Sequence, residues 1–265
     1  MKLTFLGTGT SQGVPVIACR CGVCSSTDPR DARLRTSALL QIDGHVVAGS
    51  TADRRTTNIL IDIGPDFRQQ MLRHRVQWID AILVTHAHRD HVAGLDEIRS
   101  FNYVQHRRMD IYLNAEARHT IEHDYHYIFE PHQYPGLPEA DLHTVGDGPF
   151  TAAGVEIVPI HAMHKDLPVL GYRIGQLGYI TDANHIDTAE LKKLDGIKVL
   201  VINALRHEKH FSHFCLPEAL EVIETVGPER AYLTHMSHEM GLHAEVQPTL
   251  PKGVFLAYDN QEIQL

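Results

Sequence analysis

Thr85-His86-Ala87-His88-Arg89-Asp90-His91 puts four potential metal ligands within six positions, directly after the apolar run Ala81-Ile82-Leu83-Val84. Neutral imidazole suits zinc, iron, nickel and manganese alike, and the carboxylate adds a hard oxygen donor. A helix or strand face cannot collect all four, because those periods turn near neighbours away from one another. A tight loop between a strand and a helix can, splitting them into two groups that face adjacent metals. The second dense motif is Cys19-Arg20-Cys21-Gly22-Val23-Cys24, which holds three of the four cysteines. Three thiolates at this spacing fill three corners of a zinc tetrahedron and leave the fourth to a residue from elsewhere. No helix begins cleanly at Cys19, which argues against a redox pair. Cys215 stands apart and reads as a core thiol.

The composition fits a metalloprotein. The 265 residues include 20 histidines, with 43% hydrophobic and 22% charged residues, enough to bury a core and far from disordered or fibrous usage. No apolar run reaches the roughly 18 residues that cross a bilayer, and the N-terminus lacks the apolar stretch of a signal peptide. With few cysteines as well, the expected location is cytoplasmic, with no membrane partner. A net charge of −9 is expected to repel nucleic acid unless basic residues cluster locally.

The elements that must position these motifs follow from short apolar runs between turn residues. Strands are expected at 2–6, 37–42, 58–62, 81–85, 111–113, 155–159, 170–174, 178–181, 199–203, 230–234 and 254–257. Helices are expected at 64–74, 91–100, 115–129, 187–194 and 217–226, the last with Pro217 near its start. Residues 44–57 read as a long mobile hairpin loop. No composition shift marks a linker, so residues 1–265 are expected as a single domain. Within it, 101–148 reads as an inserted segment over one face of the core. That segment carries His106, His119, His123, His126, His132 and His143, with Tyr125, Tyr127 and Tyr134. It reads first as a surface helix with aromatic core contacts; the alternative is a lid that stacks on substrate.

The pattern His86-x-His88-x-Asp90-His91 after a hydrophobic strand resembles the HxHxDH signature of the metallo-β-lactamase superfamily of hydrolases. The neighbouring landmarks agree in order: Gly7-Thr8-Gly9-Thr10-Ser11, Ile61-Asp62-Ile63-Gly64, His164, Tyr179-Ile180-Thr181-Asp182 and Leu233-Thr234-His235. The resemblance implies an α/β fold, a four-layered αβ/βα sandwich with a binuclear site at one edge of its sheets. It assigns His86, His88 and His164 to one metal, and Asp90, His91 and His235 to the second, with Asp182 bridging. Asp62 would orient ligands. His164 is preferred to His161 because the family's histidine comes shortly before a Gly-Tyr strand start, here Gly171-Tyr172.

The cysteine triplet narrows the resemblance to the PhnP-like phosphodiesterase branch. There the fourth ligand is a histidine three residues after the last active-site histidine, so His238 would join Cys19, Cys21 and Cys24 around a structural Zn2+. The branch also implies a catalytic histidine ahead of a helix, here His213, with His207 and His210 as rivals; Asp90 is counted with it among the catalytic residues. The implied cofactors are two divalent ions, Zn2+ or Mn2+, sharing a hydroxide, besides the structural zinc. The implied activity is hydrolysis of a small cyclic or linear phosphodiester, and a homodimer is left open. Three readings compete. A transfer-RNA 3′-processing endonuclease carries a basic arm with no counterpart here. Acyl (thioester or lactam) hydrolases lack the cysteine pattern. A non-enzymatic zinc scaffold needs only four ligands, not seven.

Overall fold

The computed structural model describes residues 1–44, 56–130 and 136–265. Most of the expected loop at 44–57, and His132 and Tyr134, lie outside the described residues. Six strands open the chain: β1 (Lys2–Gly7), β2 (Ser37–Asp43), β3 (Thr56–Ile61), β4 (Ala81–Leu83), β5 (Met109–Leu113) and β6 (Ala140–Thr144). Eight more follow: β7 (Phe150–Ala152), β8 (Val155–His164), β9 (Leu167–Ile174), β10 (Leu177–Ile180), β11 (His185–Ile186), β12 (Val199–Asn203), β13 (Arg230–Thr234) and β14 (Val254–Leu256). The last strand, β15 (Glu262–Gln264), returns to pair with β1. One sheet runs β15-β1-β2-β3-β4-β5-β6; the other runs β11-β8-β9-β10-β12-β13-β14, with β7 beside β8.

The sheets face each other through Leu3, Phe5, Ile59, Ile61, Tyr172, Tyr179 and Val201. Outside the first lie α1 (Phe67–His74), α2 (Arg89–Val92), α3 (Ile98–Gln105) and α4 (Ala115–Asp124); outside the second lie α5 (Thr188–Leu191), α6 (Leu216–Val226) and α7 (His243–Val246). This is the four-layered αβ/βα sandwich. Among the described residues no helix is long and apolar enough to cross a membrane. Strand β12, Val-Leu-Val-Ile-Asn, is buried throughout because parallel neighbours pair with both its edges and layers cover both its faces. Helix α6 starts where Glu218 reaches back to accept from the Cys215 backbone N–H at 3.0 Å, and ends at Gly227 with φ 65°. Cys215 is buried.

Two expectations change. The described residues of 101–148 are not laid over a finished core; they supply strands and a covering helix of the first half itself. Met109, Ile111 and Leu113 alternate inward on β5, β6 pairs parallel to it, and Ala117, Ile121, Tyr125 and Ile128 fill the outer core. The helix expected at 91–100 breaks at Gly94, whose backbone is pressed so close to Gly64 that a Cβ would lie 2.4 Å from the Gly64 carbonyl oxygen. Only α2 precedes that contact, and α3 restarts beyond it.

Candidate metal centre and active site

Strand ends and one short helix supply the centre. The loop after β4 carries His86 and His88, α2 carries Asp90 and His91, His164 ends β8, Asp182 follows β10 and His235 follows β13. Asp62, Asp182 and His235 adopt φ of 61°, 56° and 55°, left-handed conformations that non-glycine residues occupy at a cost. The turn they make aims side chains from both sheets at one edge. Gly64 lets the ligand loop close in, since a Cβ there would lie 2.1 Å from the Asp90 carbonyl oxygen.

The donors form two groups with Asp182 in common: His86, His88, His164 and Asp182, and Asp90, His91, Asp182 and His235. His86 Nε2 lies 3.0 Å from His88 Nδ1 and 3.6 Å from Asp182 Oδ2. His91 Nε2 lies 3.3 Å from Asp90 Oδ2 and 3.4 Å from Asp182 Oδ2. His235 Nε2 lies 3.0 Å from Asp182 Oδ1. A divalent ion with bonds of about 2.0–2.1 Å sets neighbouring donors about 3 Å apart, so these spacings fit.

The surrounding hydrogen bonds select the free ring nitrogens. His91 Nδ1 donates to Asp62 Oδ2 at 2.7 Å, and His164 Nδ1 donates to the Ser212 carbonyl at 2.7 Å. In the neutral rings this leaves each Nε2 with a lone pair for a metal. His91 Nε2 is buried without an aligned hydrogen-bond partner, as an ion-facing nitrogen would be. Asp62 itself is fixed by the Thr85 N–H and hydroxyl, both at 2.8 Å. Asp62 in turn holds the His91 ring.

Charges in the cluster oppose one another. Burial raises the Asp182 carboxyl, but the His235 and His91 imidazoles outweigh that and hold it well below the usual carboxylate range. Burial disfavours charge on His235, yet Asp182 and Asp90 lift it to about 9. Burial, joined by the neighbouring His213 and His88, carries His164 down to about 4 against the pull of Asp182.

His213 belongs to neither donor group but touches both. Its Nε2 lies 3.4 Å from Asp182 Oδ2, and its ring stacks on His235 with centroids 5.1 Å apart. His207 is tied to the Met240 carbonyl at 2.9 Å, and His210 stands behind His213. His161 lies outside both groups, its Nε2 3.4 Å from Asp147. The extra histidines do not gather here: His106, His119, His123 and His126 are exposed, and His143 pairs with Asp110. Tyr125 and Tyr127 turn toward Arg89, Val92 and Asp96. His86 and exposed His88 border a space of about 110 Å³ together with Asn114, Leu167 and Pro168.

Cys19, Cys21 and Cys24 converge on His238 Nδ1, with Sγ atoms at 3.4, 3.3 and 3.5 Å. Zinc bonds of about 2.3 Å to sulfur and 2.0 Å to nitrogen imply a tetrahedral S···N edge near 3.5 Å. The N–H of Cys24 and the His238 ring draw the Cys21 thiol down to about 6, while burial lifts Cys24 to about 11.

Three asparagine and serine groups escaped the sequence reading. Asn203, at the end of β12, clamps Ala183 beside Asp182 through bonds of 2.8 and 2.9 Å. Asn184 accepts from Lys165 N–H at 2.8 Å and donates to the Phe211 carbonyl at 3.2 Å. Ser212 receives His164. A polar residue closing an all-apolar run was the available signal for Asn203.

Residues 57–236 match the family model of the beta-lactamase superfamily domain. The crystal structure of a diphosphatase from the PhnP family is similar over 99% of this chain and 96% of that one, with 36% identity and a TM-score of 0.88. Zinc-bound PqqB from Methylobacterium extorquens shares the fold at 16% identity, TM-score 0.76, with 100% of both chains covered. An octanoyltransferase of Porphyromonas gingivalis is 39% identical over 264 residues, 99% of this chain; the chain spans only 51% of that relative's length.

Proposed function

The chain belongs to the metallo-β-lactamase superfamily, as a PhnP-like member, and on that premise we propose that it is a metal-dependent phosphodiesterase. The observation that carries the reading is Asp182, shared by two donor groups, with the non-ligand His213 Nε2 3.4 Å from it. In this proposal His86, His88, His164 and Asp182 hold one divalent ion, Zn2+ or Mn2+, and Asp90, His91, His235 and Asp182 hold a second. Cys19, Cys21, Cys24 and His238 hold a structural zinc. Bound divalent ions supply charge against an already anionic phosphoryl group and lower the pKa of water.

The protein's own residues do the rest. Asp62 and Ser212 keep the His91 and His164 lone pairs turned inward. As the water oxygen bonds to phosphorus and the ester P–O bond breaks, His213 Nε2–H protonates the leaving oxygen.

A second reading draws on the diphosphatase similarity: cleavage of the P–O–P bridge in a disubstituted diphosphate. Its leaving group is a phosphate, which needs protonation less than an alkoxide does. The Porphyromonas gingivalis relative's name suggests acyl chemistry instead, yet half of that protein has no counterpart here, and the name can belong to that half.

A substrate panel separates these readings. With manganese or zinc supplied, bis(p-nitrophenyl) phosphate should be hydrolysed and phosphomonoesters poorly. A disubstituted diphosphate cleaved faster than any diester would move the assignment to the second reading. Nitrocefin or a thioester cleaved faster than either would defeat both.

A further inference from the structure

His210 lies one ring behind His213. Its Nδ1 is 3.2 Å from His213 Nδ1 and receives the Ser212 backbone N–H at 3.4 Å. A ring nitrogen that accepts an N–H carries a lone pair, so neutral His210 keeps its proton on Nε2. The nitrogen facing His213 is therefore an acceptor. His213 Nδ1 is left as the donor, with Ser212 Oγ alongside at 3.1 Å.

The loop that presents this pair is fixed from both sides. The Ser212 carbonyl takes His164 Nδ1, and the Phe211 carbonyl takes Asn184 Nδ2. The His210 ring packs on Phe211 at 4.4 Å and on His213 at 5.1 Å between centroids. Burial and the neighbouring His213 also pull His210 below the usual imidazole range, which keeps it neutral and able to accept.

We infer that His210 is a positioning residue: its Nδ1 accepts from His213 Nδ1–H and holds that ring, which carries protons on both nitrogens when it acts as the acid, with Nε2–H aimed at the Asp182 edge where the leaving oxygen departs. The inference rests on the proposed role of His213 as proton donor. It predicts that the acceptor atom of His210 matters and its ring does not.

Two substitutions separate atom from ring. Asn Oδ1 reaches the position of the imidazole Nδ1, so His210→Asn keeps the acceptor and removes the ring. His210→Phe keeps a ring and removes the acceptor. On a diester with an alkoxide leaving group, His210→Phe should lower kcat about 10- to 100-fold with KM unchanged, part of the range a general acid provides. The loss should be much smaller on bis(p-nitrophenyl) phosphate. His210→Asn should stay within about threefold of the parent on both. Both variants should keep the parent's metal content, since His210 is in neither donor group. An active Phe variant beside an inactive Asn variant would make His210 a packing residue and overturn the inference, as would two fully active variants or metal loss in either. If His213→Ala left alkoxide-ester turnover intact, the parent reading would fall first, and that result is distinct from all of these.

Discussion

The histidine–aspartate centre is sunk among strand ends, with Asp182 2% exposed, whereas the cysteine cluster lies at the surface, with Cys21 exposed. In the buried centre three donors have a second protein group beside them that fixes the ring: Asp62 for His91, Ser212 for His164, Thr85 for His86. Three of its residues hold left-handed conformations that only a formed fold would impose. Around the cysteines the corresponding contacts are weak. They are the Val16 N–H to Cys24 Sγ at 3.3 Å and the Cys24 N–H to Cys21 Sγ at 3.4 Å. Ile17 in the same loop is 94% exposed, so little apolar burial holds that segment. In the first region the fold shapes the donors; in the second, four converging donors shape the loop.

The sharpest way to break this contrast is a pair of substitutions read for both activity and stability. Asp182→Ala should reduce turnover more than about 1,000-fold, since it removes a donor common to both groups. Its circular dichroism should stay that of the parent. An Asp182→Ala protein that unfolded would mean the centre supports the fold as much as the fold supports it.

Cys21→Ser should behave in the opposite sense. One equivalent of zinc should disappear on elemental analysis, and the melting temperature should fall by about 5–10 °C, because structural zinc binding is coupled to folding. Turnover should drop less than in Asp182→Ala, through loosening of the His235 loop. Unchanged zinc content and melting temperature would dissolve the comparison altogether.

A smaller effect sharpens it through pH. In metal-free protein His235 sits at about 9, above its unfolded value, so its contribution is full below about pH 6.5 and fades as pH rises through 9. His164 sits at about 4, below its unfolded value, so its contribution holds above about pH 6.5 and fades as pH falls through 4. The two slopes meet near pH 6.5, where melts in chelator should show greatest stability. Added zinc should shift that optimum upward, because the metal needs His235 deprotonated. An optimum that ignored zinc would detach both histidines from metal binding.

The candidate ligands that cluster in sequence were the legible ones. His86 to His91 and Cys19 to Cys24 are local, so type and spacing sufficed. The distant partners His164, Asp182, His235 and His238 came from resemblance; no spacing rule joins residues so far apart. The structure adds a physical reason for His164 over His161: positions three apart on a strand face opposite ways, and His164 shares a face with Ile160 and Ala162. The strands β6, β7, β11 and β15 were missed. Ala-Asp-Leu-His-Thr and His-Ile are short and polar edge or near-edge segments whose pairing comes from neighbours rather than from their own pattern. The left-handed turns at Asp62, Asp182 and His235 had no signal at all, because no glycine marks them.

Each of the two donor groups also divides evenly between the halves of the sandwich, in a way that bears on cooperativity. His86 and His88 from the first sheet meet His164 and Asp182 from the second, and Asp90 and His91 from the first meet Asp182 and His235 from the second. Each half of the sandwich alone offers two donors per group, an incomplete chelate. A chain with only one sheet ordered has nothing to load, so ion uptake waits on the joining of the halves. Once seated, an ion resists their separation, since parting the sheets would strip it of half its protein donors. Occupancy would then make unfolding more nearly all-or-none, and the metal-stripped protein is where the two sheets would first be free to melt separately.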